Sequence, residues 1–333
     1  MMRISTITAT DGSSMAGIGY ATAYVGMQGV KNCRKVLNVL PANGVFDSTC
    51  VWDKHGNPDY LSEVGSATYV GADTYIGKDC IISPEAFRMD YENIRKQGYR
   101  PNVYIHPDAM VITPYDYKIA MAFDLPDPDS AVRMAYGEYV PGYECERWGF
   151  YSNPCLGQLI DEEVRVGRRM LYYHLLLKGE AENMDVSKYR LSVPEAELDA
   201  FDRGIRYMQR YAKKARLEDI VSRYDDVVIE NRKNLYQADS GELGAKAAIP
   251  LLTRLQDTTK CEFTPCYVVD GEKELPLETV ERISKNCDNA PYQLFVLNPR
   301  TQACIVPKCM NVTDAFSVNG KLPGIKKMRL EHS

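Results

Sequence analysis

The chain has 333 residues, of which 45% are apolar and 26% are charged, and its net charge is −5. This length can bury a large core in one domain or two, and the acidic balance argues against a dedicated duplex-DNA-binding protein, which would be basic. No apolar run approaches the roughly 20 residues that a membrane helix needs, and the first ten residues lack the apolar core of a signal peptide. We therefore expect a cytoplasmic protein.

The amino-terminal segment predicts a strand, a glycine-rich turn and a helix. Ile4–Ala9 alternates weakly, the turn reads DGSSMAGIG over residues 11–19, and the helix covers Ala16–Gly26. Backbone N–H groups in such a turn can gather around a phosphate. A P-loop would add a lysine, but the next lysine is Lys31. Two interpretations stay open, a phosphate-binding loop and a tight turn into the helix.

The central stretch, residues 66–120, is the most legible part of the chain. Tyr75–Ile82 is an apolar run with β-branched residues and predicts a strand. Ser83 is a good helix cap, Pro84 suits the first helical position, and Gly98 suits the left-handed residue that ends the helix Glu85–Gln97. With a short strand at 102–105 this makes one strand–helix–strand crossover, which indicates a buried parallel sheet.

The flanking segments predict further short elements: a strand at Lys35–Leu40, a turn at Pro41–Gly44, an extended piece at Met110–Thr113 and a helix that begins at Pro114. A rival interpretation is a hexapeptide β-helix, since Val70-Gly71, Ile76-Gly77 and Ile82-Ser83 recur every six residues. That architecture needs several stacked coils, whereas here the period ends at a helix after about one coil.

The second half predicts helices at Leu159–Lys178 and from Ser192 to about Ala215, and a buried strand, Tyr224–Glu230, that ends in an acid. Ligand-contacting residues of parallel sheets follow the carboxyl ends of strands, which draws attention to Glu230. From Ile249 the chain is strand-rich. The predicted elements there are strands at Glu262–Val269, Gln293–Leu297 and Ala303–Val306, and a helix at Leu277–Lys285.

The ten cysteines include two equally spaced pairs, Cys261 with Cys266 and Cys304 with Cys309. Four thiolates could hold a structural Zn²⁺. Residues five apart on a strand point to opposite faces, however, so we expect reduced thiols and do not favour zinc.

Three motifs carry a family resemblance: Leu40–Gly44 (LPANG), Tyr75–Ala86 (YIGKDCIISPEA) and His106–Pro114 (HPDAMVITP). They are similar to segments of adenylosuccinate synthetase, especially of its short viral relatives. The resemblance covers about two thirds of the chain and is specific in the middle third. Gly12–Gly17, Ser152–Gln158 with Arg168 and Arg169, and Val227–Glu230 stand where the family has its phosphate loop, its nucleotide loop and a strand that ends in glutamate.

The resemblance implies an α/β fold, a mostly parallel sheet flanked by helices, over residues 1–248, with the strand-rich residues 249–333 packed on the same sheet. It implies a ligase that joins aspartate to a purine nucleotide with a nucleoside triphosphate and Mg²⁺, a homodimer, and a viral protein of the host cytoplasm. It places a catalytic role on Ser13, phosphate binding on Gly12, Ser14, Gly17 and Gly19, and substrate binding on Asn43, Ser152, Asn153, Gln158, Arg168, Arg169 and Glu230.

The departures from the family pattern are equally specific. Met15-Ala16 stand where the family's phosphate loop has its lysine, and Gly26–Arg34 contains no histidine to match the catalytic one. Asn231-Arg232 follow Glu230 where the family has small residues, and the family's arginine-rich aspartate loop has no counterpart. Two functions therefore stay open, a purine nucleotide ligase and a non-catalytic descendant that binds nucleotides or takes part in assembly.

Overall fold

The computed structural model describes residues 1–10, 12, 14–44, 47–53, 57–122, 127–135, 193–232, 261–271, 293–298 and 303–305. Its strands are β1 (Met2–Ala9), β2 (Val36–Asn43), β3 (Thr49–Trp52), β4 (Pro58–Leu61), β5 (Asp73–Ile82), β6 (Val103–Ile105), β7 (Met110–Val111), β8 (Ala212–Lys214), β9 (Asp226–Asn231), β10 (Cys261–Asp270), β11 (Gln293–Asn298) and β12 (Ala303–Ile305).

Ten of these strands form one sheet, in the spatial order β12-β11-β10-β1-β9-β2-β5-β6-β8, with β7 beside β5. Every described pairing in this sheet is parallel except that of β11 with β12. The remaining two strands, β3 and β4, form an antiparallel hairpin. The predicted α/β class with a mostly parallel sheet is confirmed, and the carboxyl ends of the parallel strands share one edge.

The helices are α1 (Ile18–Lys31), α2 (Pro84–Lys96), α3 (Pro114–Ala122), α4 (Pro128–Ala135), α5 (Glu195–Tyr211) and α6 (Leu217–Ile220), with 3-10 turns at Ser14–Gly17, Ser66–Val70 and Val221–Arg223. Both faces of the sheet are covered. Alternate residues of β9 point to opposite faces, so Val228 packs in the cluster that contains α1 residues, while Val227 and Ile229 pack in the cluster under α6. None of the helices in the described ranges is both long and apolar enough to span a membrane.

The β5–α2–β6 crossover forms as the local signals predict. The Ser83 hydroxyl accepts the Ala86 N–H at 3.3 Å, Pro84 occupies the first turn, and Gly98 just after the helix has φ +98°. Since residues 73–82 form one strand of a parallel sheet and a helix follows, the β-helix interpretation is wrong.

Two local predictions are also wrong. The turn predicted at Pro41–Gly44 is not a turn, because β2 continues to Asn43 and its pairing with β5 shifts register between Leu40 and Ala42. Gly77 of β5 makes room for this bulge, since a Cβ there would lie 2.8 Å from the Pro41 carbonyl oxygen.

The second concerns the helix predicted to reach Ala215. It ends at Tyr211, and Ala212–Lys214 instead pair with β6 as the edge strand β8. Strands β10 to β12 extend the sheet beyond β1. The predicted helices Leu159–Lys178 and Leu277–Lys285 lie outside the described residues.

Candidate functional site

The candidate site lies at the carboxyl edge of the sheet, where β1, β9, β2 and β5 end side by side. Ligands of open α/β sheets bind at this edge. The segments that leave it are the turn after β1, the bulged end of β2 at Asn43, and the end of β9 at Glu230. The hairpin β3–β4 and residues 62–66, which follow it, lie between β2 and β5 in the chain; residues 62–66 are called the strap below.

The predicted phosphate turn, residues 11–19, follows Thr10, whose N–H and hydroxyl both donate to the Val268 carbonyl oxygen, at 2.9 and 3.1 Å. Gly12 is exposed, Ser14 begins a 3-10 turn, and α1 follows Gly17 with no side-chain cap. The first N–H groups of a helix suit an anion. The chain thus brings the amino terminus of a helix close after the carboxyl end of β1, and phosphate binding there stays a prediction.

Gly19 has a packing role in addition to the phosphate binding that the resemblance implies, which stays a prediction. A Cβ at Gly19 would lie 2.4 Å from the carbonyl oxygen of Cys50 in β3. Because a backbone oxygen cannot yield without moving the hairpin, the glycine allows α1 to pack closely against β3.

Asn43 is 1% exposed at the end of β2. Its amide nitrogen donates to the Ser62 carbonyl oxygen of the strap, while its Oδ1 finds no hydrogen-bond partner among the described residues. Leaving a buried acceptor unpaired costs about 1–3 kcal/mol. Asn43, which is predicted to bind substrate, therefore has an acceptor, Oδ1, that no described residue uses.

The strap is held by buried polar side chains from neighbouring elements. Asp90 of α2 accepts three of its backbone N–H groups through Oδ2, at 2.9 Å from Ser62, 2.7 Å from Glu63 and 3.2 Å from Val64. Thr74 of β5 accepts the Gly65 N–H at 3.2 Å. Helix α2 and strand β5 thus fix the strap above the sheet.

Glu230 forms the other anchor. Its carboxylate accepts the Ser66 hydroxyl at 2.6 Å, the Ser66 N–H at 2.9 Å, the Thr49 hydroxyl at 3.3 Å and Arg232 Nε at 3.1 Å. Both side chains of the Glu230–Arg232 ion pair are 0% exposed. The carboxylate is thus used within the protein, and the geometry assigns Glu230 to positioning the strap.

Arg232 completes the anchor by binding backbone oxygens. It donates to Val64 at 2.8 Å, to Asp47 at 3.3 Å and to Ser62. Arginine can do this because its planar fork carries several donors in fixed directions. Arg232, which stands where the family has a small residue, therefore holds the strap in place.

Burial governs the electrostatics of the network. Desolvation raises the pKa of Asp90 to about 6, although its backbone hydrogen bonds and Arg232 lower it. Desolvation also raises the pKa of Glu63 well above its usual range, and the nearby Asp90 and Asp129 raise it further. The Ser83 N–H donates to Glu63 Oε1 at 3.0 Å, and Oε2 finds no partner among the described residues. Beneath the strap, the buried carboxyl groups of Glu63, Asp90 and Glu230 thus lie near the guanidinium of Arg232.

Six of the predicted site residues lie outside the described ranges: Ser13, Ser152, Asn153, Gln158, Arg168 and Arg169. Their roles stay predictions. Sequence reasoning missed Asp90 and the strap, because nothing local distinguishes Asp90 from a solvent-facing helical aspartate. Arg232 carried a signal, its departure from the family pattern, but not the role that it plays.

The cysteines and the carboxylates are the side chains that could bind a metal ion. Cys261 and Cys266 both lie on β10, burial raises the pKa of the Cys266 thiol to about 12, and Cys309 is outside the described residues. Within the described ranges no group of three His, Cys, Asp or Glu residues could hold a metal ion. Mg²⁺ in nucleotide sites takes one or two carboxylates plus substrate phosphates and therefore needs no such group of protein ligands.

Comparison with solved structures bears out the fold. Cyanophage S-2L succinoaminodeoxyadenylate synthetase, bound to dGMP and dATP, matches over 92% of this chain and 96% of its own, with a TM-score of 0.54 and 9% identity. Adenylosuccinate synthetase from Plasmodium falciparum matches over 70% of this chain with a TM-score of 0.47 and 11% identity, and this chain spans 52% of its length. The chain matches no protein-family model and no curated protein.

At these identities the likeness concerns the fold alone. The chain has the fold of the phage synthetase along almost its whole length, which confirms the resemblance as a distant structural one. It does not carry over the phage enzyme's substrates or its chemistry.

Proposed function

We propose that this chain is a purine nucleotide ligase of adenylosuccinate synthetase type, which joins aspartate to a purine (deoxy)nucleotide at the expense of a nucleoside triphosphate. The observation that carries the proposal is the agreement in fold with a phage synthetase over nearly the full length of both chains. That enzyme binds dGMP, with dATP as energy donor. A scaffold kept whole, with both halves of the sheet present, supports a retained nucleotide site.

In this proposal the carboxyl edge holds the substrates. The turn at residues 10–17 and the start of α1 bind phosphate through backbone N–H groups. Asn43 Oδ1, buried and unpaired among the described residues, accepts a hydrogen bond from the purine. Ser152, Asn153 and Gln158 hold the base, Arg168 and Arg169 bind its phosphate, and Ser13 stands at the reacting phosphoryl group. Mg²⁺, when bound, neutralises negative charge on the triphosphate.

A second candidate, a nucleotide-binding protein without ligase activity, is favoured by three features of the chain. The loop lacks a lysine, Gly26–Arg34 lacks a histidine, and Glu230 is consumed by Arg232 and Ser66. Phosphoryl transfer depends on cationic groups placed at the transferring phosphate. A chain that keeps the scaffold and loses these groups would bind a nucleotide as a sensor, carrier or assembly component.

Titration calorimetry separates the two functions. Purine monophosphates and triphosphates are titrated into the full chain with and without Mg²⁺, and aspartate is then added in a turnover assay that follows phosphate release and the mass of the succinyl adduct. The ligase proposal expects monophosphate binding, Mg²⁺-dependent triphosphate binding and an adduct. Binding without an adduct selects the second candidate, and no nucleotide binding at all contradicts both.

A matched pair of variants locates the site. Asn43→Ala should weaken monophosphate binding about fivefold, since a lost hydrogen bond to a neutral group is worth about 1 kcal/mol. Asn32→Ala, at the exposed end of α1, should leave the affinity unchanged. A thermal unfolding curve of each variant separates lost binding from lost folding. Equal affinity in both variants would remove Asn43 from the site.

A further inference from the structure

Two described segments of this acidic chain carry several cations and no acid. Residues 93–107 contain three Lys or Arg residues and residues 203–217 contain six, and neither segment contains Asp or Glu, although the net charge of the chain is −5. The nine cations are called the basic face: Arg95, Lys96, Arg100, Arg203, Arg206, Arg210, Lys213, Lys214 and Arg216. All of them are exposed except the half-buried Arg95.

The two segments meet in space. The Tyr91 ring of α2 stacks on the Tyr211 ring of α5 with centroids 5.2 Å apart, so the last turns of both helices lie together. Helix α2 begins at the carboxyl edge, after β5, and its last turn therefore lies at the opposite, amino edge. The Arg95 end of the basic face is thus at the amino edge, whereas its Arg203 end lies beside the first turn of α2, because the neighbouring Gly204 packs directly against Pro84.

The helix dipole accounts for only part of this charge. Cations are favoured in the last turn of a helix, which covers Arg95, Lys96 and Arg210. Arg203 and Arg206 lie further back in α5, and other members of the face lie beyond the helix ends altogether. The remaining cations need another explanation.

Aromatic rings are interleaved with the cations. The Arg95 and Arg210 guanidinium carbons lie 4.8 and 5.2 Å from the Tyr211 ring centroid, and Lys213 Nζ lies 5.8 Å from that of Tyr104. Tyr99 and Tyr207 are half-buried beside them. Guanidinium planes and tyrosine rings are the surfaces on which unpaired bases stack, while cations follow the phosphates.

The edge strand β8 forms one border of this face. It pairs with β6 on one side, and its two lysines are exposed. Lysines on an edge strand oppose pairing with a second copy of the same strand. The nearby Asp73 carboxylate is bound to the Asn102 N–H at 2.7 Å and the Tyr224 hydroxyl at 2.7 Å.

We propose that the basic face binds single-stranded nucleic acid, with phosphates on the arginines and lysines and bases against the tyrosine rings and guanidinium planes. Arginine dominates the set, six against three lysines, and suits phosphate because its fork binds two oxygens at once. An acidic protein segment would use only the cations, whereas single-stranded nucleic acid also uses the half-buried rings of Tyr99, Tyr207 and Tyr211. None of the nine cations is among the residues proposed for the nucleotide site.

The test is fluorescence anisotropy of the full chain with a labelled (dT)20 strand at several salt concentrations. The logarithm of affinity should fall linearly with the logarithm of salt, with a slope of about −0.7 per phosphate neutralised. An abasic 20-mer of equal charge should bind about tenfold more weakly, because stacking contributes about 1–3 kcal/mol per base. Saturating dGMP should not displace the strand.

Variants assign the binding to the face. Arg206→Gln with Arg210→Gln should weaken (dT)20 binding about tenfold and make the salt slope shallower by about one. The control, Lys31→Gln with Lys35→Gln, removes two exposed cations outside the face and should change the affinity by less than about twofold. Unfolding curves confirm that each variant is folded.

Four results would overturn the proposal. They are equal (dT)20 affinity of the basic-face and control variants, equal affinity of the chain for (dT)20 and the abasic strand, displacement of (dT)20 by dGMP, and tighter binding of a 20-residue polyglutamate than of (dT)20. The last would assign the face to an acidic protein partner. Displacement by dGMP would place the strand in the nucleotide site.

Discussion

Strand β9 carries an arginine–carboxylate cluster at each end, and the two clusters differ in burial. At its amino end Asp226 is bound by Arg3 and Arg34, at 2.6 and 2.7 Å, and these arginine side chains are 41% and 28% exposed. At its carboxyl end Glu230 and Arg232 are both 0% exposed. Similar hydrogen bonds thus operate in two different dielectric environments.

The difference teaches what each cluster does. Partly exposed pairs gain little over their hydration, so the Asp226 cluster closes the end of the sheet at a modest gain. A fully buried pair has lost its hydration, and removing one partner leaves a charge that nothing compensates. The Glu230 cluster therefore determines whether the strap, and with it the candidate site, is assembled.

The largest expected effect is that of Arg232→Met, which removes the guanidinium and keeps a similar volume. We expect a loss of about 3–5 kcal/mol in the free energy of unfolding, because Glu230 and the strap carbonyl oxygens lose their partner. Urea unfolding measures it. The double variant Arg232→Met with Glu230→Leu should recover part of the loss, and a single-variant loss under about 1 kcal/mol would contradict the assigned role.

Next comes the pH dependence from Asp90. The pKa of Asp90 is about 6 in the folded protein and 3.8 in the unfolded chain. Below about pH 4 Asp90 therefore adds about 3 kcal/mol to the free energy of unfolding, and this contribution is lost as the pH rises to about 6. Asp90→Asn cannot titrate, so it should lose much of this slope while the raised pKa of Glu63 keeps a remainder of the same sign. Urea unfolding between pH 4 and 7 is the measurement. Asp219→Asn, exposed on α6, is the control, and an unchanged slope in Asp90→Asn would refute the assignment.

The Asp226 cluster should give a smaller change. Asp226→Asn should cost about 1–2 kcal/mol, because two arginines lose a charged acceptor but remain near water. Raising the salt concentration to 1 M should shrink the difference, since exposed charges are screened. A loss as large as that of Arg232→Met, or one unaffected by salt, would remove the contrast between the two ends of the strand.

Arg3→Met should have the smallest effect, about 0.5 kcal/mol, because Arg3 is 41% exposed and Arg34 still binds Asp226 Oδ1. Thermal unfolding of Arg3→Met and of the wild-type protein measures this difference in stability. A cost above about 2 kcal/mol would show that the amino end also depends on a desolvated pair.

Local signals were enough for the crossover of β5, α2 and β6, because each boundary is marked by residues whose preferences act over a few positions, such as Ser83, Pro84 and Gly98. They were also enough for the strands of the carboxyl third, which are short and mostly apolar runs. The edge strand β8 was predicted as helix, since the pattern of α5 continues to Ala215 and only the pairing with β6 overrides it.

The sequence by itself determined the class of the fold, most strand positions and the absence of a lysine from the phosphate turn, since these follow from composition and short-range pattern. The tertiary structure decided what Glu230 does. Its partners Ser66 and Thr49 lie 164 and 181 residues away in the chain, and Arg232, two residues on, is fully buried by the same strap. Whether a carboxylate at a strand end binds a ligand or other groups of the protein depends on which residues cover it. Packing between distant segments decides which residues these are.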